Sequence, residues 1–336
     1  MKKIIINTIP WLITVTALYF LLKDINWSEF QASISKADGL WLSLGVLLTF
    51  LSYIVRAYRW QFFFEEKGVL SYFSSLKVLF LGFFMNNILP ARAGELVRAH
   101  AGARVAGTKR TLVLATIASE RLVDGLTISA FFLCCGFKLA SDEISSKLFY
   151  VAVAFALVAL SVVATLTLRE RIFFFAECIA RHFHNNISDY AQNRLQVFIN
   201  GLTPLCKRQT LIPVIIWSLA IWSLELSVYI VISKAFGVIL SPAQCVLFMV
   251  AVNFSSLIPA APAGFGVIEV AAVAVLMSLQ FYPEMPADVK HATALSMVLS
   301  QHMIQFFVVG IFGLGSLLLL RKQIGTLRSL KDDPES

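Results

Sequence analysis

The chain reads as an all-α polytopic membrane protein, with about six full spans and two re-entrant helical hairpins in an inverted repeat. Three observations predict this. First, the 336 residues are 58% hydrophobic with a mean hydropathy of +0.78, far above a soluble globular domain. Second, the basic residues flank long apolar runs, as topology-setting loops do. Third, two interrupted segments share one pattern. One reads Asn86-Asn87-Ile88-Leu89-Pro90-Ala91-Arg92-Ala93-Gly94-Glu95. The other reads Ser256-Leu257-Ile258-Pro259-Ala260-Ala261-Pro262-Ala263-Gly264-Phe265-Gly266-Val267-Ile268-Glu269. Proline removes a backbone donor and breaks a helix, and glycine permits a tight turn. Irregular backbone at membrane depth is tolerated only inside protein or beside water. A matched pair of broken segments is the best sequence pointer to a transporter's binding site.

A crossing helix needs about 20 apolar residues at 1.5 Å each. Residues 4–22, 40–58, 112–137, 149–168, 211–233 and 292–320 meet that length. The N-terminal run follows Lys2 and Lys3 and lacks a small-residue cleavage site, so it reads as a retained first helix. Residues 78–90 give only about 20 Å of helix before the charges Arg92, Glu95, Arg98 and Arg104. Residues 243–282 are cut by Pro259, Pro262, Gly264 and Gly266 into arms of about 16 residues, again too short to span. These two regions are the expected hairpins. Residues 168–210 carry Phe173, Phe175, Ile179 and Phe183 among Arg171, Arg181, His182 and His184. An amphipathic helix on the inner leaflet and a cytosolic helical linker both fit them. Residues 1–325 thus form one transmembrane domain, and 326–336 a polar tail.

Charge distribution orients this arrangement. With six spans crossing and each hairpin returning to its own side, the cytoplasmic segments hold 21 of the 28 basic residues. The opposite side holds only lysines: Lys23, Lys36, Lys138, Lys147, Lys234 and Lys290. Both termini then lie in the cytoplasm, and the hairpins insert from opposite sides. The same distribution argues against nucleic acid as the partner of a net charge of +8.

Ionisable groups within apolar runs are functional hypotheses by default. Glu120 and Asp124 share a helix face at i and i+4, with Arg121 between them. Close carboxylates resist joint ionisation, so one is a candidate proton carrier; an ion pair that only holds the fold is the rival reading. Arg92 and Arg98, tied to the first break, are candidates to hold a lipid phosphate. Backbone N–H groups freed near Pro90 and Gly94 would assist them. Anchoring at the inner face is the alternative. Glu95, Glu225 and Glu269 are further candidates for charge balance or proton relay, with a structural hydrogen bond the rival reading for Glu225 and Glu269. Asn253, Gln301, His302 and Gln305 are explained by interhelical hydrogen bonds, with His302 a minor relay candidate. Arg56 and Arg59, among aromatics, read as snorkelling anchors, with collection of anionic lipid headgroups the alternative. Cys134-Cys135 reads as packing. The chain carries no Walker A, HExxH or GxSxG motif and no cysteine–histidine metal cluster, so neither a cofactor nor a metal is expected.

The segments Leu89-Pro90-Ala91-Arg92-Ala93-Gly94-Glu95-Leu96-Val97-Arg98, Glu120-Arg121-Leu122-Val123-Asp124 and Ile258-Pro259…Gly264-Phe265-Gly266-Val267-Ile268-Glu269 resemble the transmembrane region of bacterial lysylphosphatidylglycerol synthase, also called flippase-like membrane proteins. The resemblance extends over nearly the whole chain. It implies a multi-pass protein of the bacterial inner membrane that handles a lipid, often an aminoacylated or glycosylated phospholipid. Its motif residues fall on Arg92, Gly94, Glu95, Arg98, Glu120, Arg121, Asp124, Pro259, Gly264, Gly266 and Glu269. Two departures stand out: Ala263 replaces a common glycine, and Gln301-His302 falls where many relatives have an arginine. The synthase's soluble aminoacyl-transferase domain has no counterpart in this sequence, so synthesis of the lipid is not expected. A lipid translocase is the leading expectation. A non-catalytic membrane subunit for a lipid-modifying enzyme or glycosyltransferase is the second, and a carrier for a small polar solute the third.

Overall fold

The structure is a computed structural model describing residues 2–23, 25–64, 68–136, 201–258, 262–279 and 285–324, with isolated positions 153, 157 and 197. Among the described residues the chain is helical, with no strand. Ten α-helices follow in order: α1 (Lys2–Leu22), α2 (Trp27–Ser35), α3 (Gly39–Trp60), α4 (Tyr72–Ile88), α5 (Gly94–Ala106), α6 (Arg110–Phe131), α7 (Arg208–Ala235), α8 (Pro242–Ser255), α9 (Val267–Ser278) and α10 (Ala287–Ile324). Helix α6 runs on into a π-helical turn, Phe132–Gly136. The expected span 149–168 (apart from positions 153 and 157), most of the amphipathic segment and the tail 326–336 lie outside the described residues, as does Pro259.

Local chemistry sets the helix ends. The Asp38 carboxylate accepts the Leu40 N–H at 2.8 Å and starts α3. Ser241 and Gln244 form a capping box at α8, with Pro242 at the first helical position. Helix α4 stops at Leu89, whose extended backbone (ψ 138°) suits the residue before a proline. Gly107, at φ +64°, closes α5.

Among the described residues, three stretches are long and apolar enough to cross a membrane: Gly39–Phe63, Arg208–Ala235 and Ala287–Arg321. Helix α6 has the length, but Glu120, Arg121 and Asp124 dilute its apolar character. The arms around the breaks differ from expectation. Helix α4 has 17 residues, because Ser71 caps it well before residue 78. Helices α8 and α9 have 14 and 12 residues. The short helix α2, capped by Asn26, falls between the expected spans.

Long helices α3 and α7 lie against each other, and α10 crosses α3, α4 and α9. Helices α4 and α5 fold back on one another across the first break, as α8 and α9 do across the second. The close α4–α5 approach depends on Gly94. A Cβ there would run into the Gly82 carbonyl and the Asn86 backbone. One large apolar cluster joins α7, α8, α9 and α10. A second joins α4, α5 and α6, and Tyr53, Phe80 and Val308 stitch α3, α4 and α10 between them. The two breaks meet at the seam: the turn Pro90–Arg92 lies against the turn Pro262–Gly264.

Because Gly94 packs against backbone, Gly94→Ala overfills the first hairpin. It is expected to destabilise the detergent-solubilised protein by about 1–3 kcal/mol, read as a lower thermal midpoint. An unchanged midpoint would mean that the α4–α5 approach is looser than described.

Candidate functional site

Where the breaks meet, a cavity of about 370 Å³ opens between α3, α4, α6, α7, α8 and α10. Its polar wall includes Arg56, Arg92, Glu95, Arg121, Asp124 and Glu225, and its apolar wall Phe83, Trp222, Phe254 and Phe306. A concave, mostly apolar site with a few convergent polar groups is the usual form of a ligand pocket.

Arg92 holds the seam. Its backbone sits at φ +57°, a left-handed conformation costly for a residue with a Cβ. Its Nη2 donates to Ser256 Oγ at 2.7 Å, so the first break is tied to the end of α8. Ser256 Oγ in turn donates to the Asn253 carbonyl at 2.6 Å. Among the described residues no carboxylate lies within ion-pair distance of Arg92.

The other guanidiniums are paired. Arg121 Nε donates to Glu95 Oε1 at 2.7 Å, joining α6 to the start of α5. Arg56 lies 3.5 Å from Asp124 and 3.6 Å from Glu225. Its guanidinium carbon sits 4.9 Å from the Trp222 ring. Arg59 Nη1 donates to Asp124 Oδ1 at 2.7 Å and to Ser218 at 2.8 Å. Trp222 Nε1 completes the ring around Asp124 at 3.0 Å. Asp124 therefore pins α3, α6 and α7 together.

A deeper layer holds Arg98 and Glu120. Arg98 Nη2 donates to Glu120 Oε2 at 2.6 Å, and its guanidinium carbon lies 4.1 Å from the Trp60 ring. Arg59 Nη2 approaches Glu120 Oε1 at 3.8 Å. Arg59, Arg98 and Glu120 are all almost fully buried, and none lines the cavity. The sequence grouped Arg98 with Arg92 as one fork. Arg98 lies four residues beyond Gly94 and is turned inward under Trp60, while Arg92 faces the seam. Glu120 and Asp124 do share a face of α6, but arginines surround each of them. Arg56 and Arg59, read as surface anchors, are buried members of the network. Sequence offered one signal for this: Arg56 falls inside an apolar span, with Arg59 one turn further on.

The second break is braced from behind. Glu269 Oε2 accepts the Gly266 N–H at 2.6 Å, and Oε1 lies 2.5 Å from His302 Nδ1 on α10. Gly266, at φ +85°, packs against α1, where Thr14 Oγ1 donates to the Phe265 carbonyl at 3.1 Å. The His302 ring stacks on Phe265. Gly264 reaches the cavity wall; Gly266 and Glu269 do not, and neither does Pro90. Asn253 and Gln305 bond the hydroxyls of Tyr229 and Tyr53, the interhelical role expected for them. Cys134, in the π-helical turn, is exposed rather than packed.

A family model described as the lysylphosphatidylglycerol synthase TM region matches residues 7–313. The chain belongs to this family. That makes it a multi-pass membrane protein, and the resemblance carried by the break motifs holds. Among its relatives, the glycosyltransferase AglD of Haloferax volcanii is 26% identical over 353 residues, covering 94% of this chain and 54% of that protein. The chain thus spans about half the length of that relative. The UPF0104 membrane protein PH1989 of Pyrococcus horikoshii is 20% identical over 337 residues, covering 93% of this chain and 97% of that protein. The family region holds both helix breaks and the whole arginine–carboxylate network.

Removing the Glu120 carboxylate strands Arg98 and part of Arg59 in a dry interior. Breaking such a buried pair costs about 3–5 kcal/mol. Glu120→Gln is therefore expected to lower the thermal midpoint sharply, with or without added lipid. A stable Glu120→Gln protein would mean that water reaches this layer.

Proposed function

We propose that the chain is a lipid translocase whose two helix–break–helix units enter the bilayer as re-entrant hairpins and meet at the cavity. The observation that carries this reading is Arg92, a cation on the cavity wall with no carboxylate partner among the described residues. Holding even a half-buried charge without a carboxylate is costly, so a group retained in that state points to a ligand of opposite sign. The first turn of α5 starts beside it without a side-chain cap, adding backbone donors favourable to an anion. Headgroups cross hydrocarbon slowly because their solvation is lost. A polar cavity inside an apolar bundle replaces that solvation while acyl chains remain in lipid. Glu95, Asp124 and Glu225, paired with Arg121, Arg59 and Arg56, then keep the path near neutrality. In this reading Pro90, Gly94, Pro259, Gly264 and Gly266 shape the breaks, and a bacterial inner membrane with both termini inside is the expected setting.

A second reading is supported by the glycosyltransferase name of the Haloferax relative, of which this chain spans about half. There the chain is the membrane part of a lipid-modifying or glycosyl-transferring system, with an enzyme as its partner.

Fluorescent-lipid translocation in proteoliposomes separates the two. Wild type is expected to move headgroups between leaflets. Arg92→Ala is expected to slow this at least about tenfold, the loss of one charge-assisted hydrogen bond. A folded wild type that moves no lipid, yet co-purifies with a stoichiometric enzyme, would select the second reading.

A further inference from the structure

We propose that the cavity selects a headgroup carrying a single phosphodiester anion with an otherwise uncharged remainder, and that it rejects cationic, aminoacylated headgroups. This builds on the translocase reading, which locates the ligand in the cavity, and adds the ligand's charge.

Charge pairing carries the inference. Every carboxylate on the cavity wall is already committed. Glu95 is held by Arg121 at 2.7 Å, Asp124 by Arg59 at 2.7 Å, and Glu225 by Arg56 at 3.6 Å. Glu120, beneath the wall, neutralises Arg98. Glu269 has both oxygens engaged, one by the Gly266 N–H and one by His302. With Glu269 set aside to His302 and the Gly266 N–H, the described residues place five guanidiniums against Glu95, Glu120, Asp124 and Glu225, and Arg92 is the one without a carboxylate within ion-pair distance. Among the described wall residues an incoming ammonium would find no carboxylate without an arginine already beside it. It would have to share a carboxylate with that arginine, weakening the pair at low dielectric, and it would sit in the field of Arg92.

A phosphodiester meets the opposite situation. A guanidinium has five N–H donors, and the structure records one hydrogen bond from Arg92, to Ser256. Donors therefore remain for a planar fork on phosphate oxygens. Asn87 and Asn253 also line the cavity, offering neutral amides that suit hydroxyls better than charge. A second phosphate charge would exceed what one unmatched cation compensates.

Lipid retention by the full-length protein in detergent tests this. Dioleoyl phosphatidylglycerol, phosphatidylethanolamine and lysylphosphatidylglycerol are offered in equal amounts, and bound lipid is read by native mass spectrometry. Phosphatidylglycerol is expected to exceed lysylphosphatidylglycerol at least about tenfold, since like-charge juxtaposition costs several kcal/mol. Arg92→Gln should abolish the preference, and Arg92→Lys, which keeps the charge, should retain most of it. Circular dichroism and thermal midpoint establish that both variants fold. Soluble glycerophosphoglycerol added as competitor names the source of the anion. Displacement of lipid means that the free phosphodiester is also bound, and no displacement means that the acyl chains are required; both support the charge rule. Equal or stronger retention of lysylphosphatidylglycerol, or an anion preference that survives Arg92→Gln, overturns it. Anion preference without translocation would instead sink the translocase reading and leave this inference standing.

Discussion

A dry interior does not tolerate lone charge, and that constraint organises this molecule. Each buried ion costs several kcal/mol unless geometry returns it through pairing. Here five arginines converge from α3, the first break, α5 and α6. Four carboxylates meet them, and the resulting ion pairs, more than the apolar clusters, fix how α3, α5, α6 and α7 face one another. Asp124 is the hub: Arg59, Arg56 and Trp222 all reach it. Apolar packing is non-directional and would allow α3 and α7 to slide along their length. The Asp124 contacts set one register.

The helix breaks follow from the same constraint. A continuous helix through residues 72–106 would be long enough to cross the bilayer, but it would carry Arg92, Glu95 and Arg98 through it. Pro90 stops α4, and Gly94 lets α5 fold back within backbone contact of it. The charges are thereby delivered to the protein interior rather than to lipid. The second break brings no charge of its own to the cavity wall. Its Glu269 is spent on capping Gly266 and on His302, so it acts as a rigid, small-residue counter-surface for Arg92. The left-handed backbone of Arg92, opposite the left-handed Ala263, places strain on both sides of one seam. Strain of that kind collects at ligand sites.

Much of this was legible in the sequence. Apolar length located α3, α7 and α10, and the paired Pro/Gly interruptions located both breaks, because breaker chemistry is local. Glu95, Arg121, Asp124 and Glu225 were found because charge inside an apolar run is rare. What sequence alone missed is partner choice, which is a property of the packed bundle. Arg98 looks equivalent to Arg92 at six residues' distance, yet a helical turn sends one under Trp60 and the other to the seam. Arg56 and Arg59 resemble interfacial anchors, because an Arg flanked by Tyr and Trp carries the same local signature whether it faces water or a carboxylate on another helix. The His302–Glu269 contact spans 33 positions of sequence and has no local trace.

On the proposed mechanism, the two breaks enclose one unmatched cation that receives a lipid phosphate. A cryo-electron microscopy structure of the chain in nanodiscs rich in phosphatidylglycerol tests it most directly. Headgroup phosphate density is expected within hydrogen-bonding distance of the Arg92 guanidinium, with acyl density leaving the cavity between helices toward the bilayer. An empty cavity with Arg92 bound instead to a protein carboxylate would contradict it.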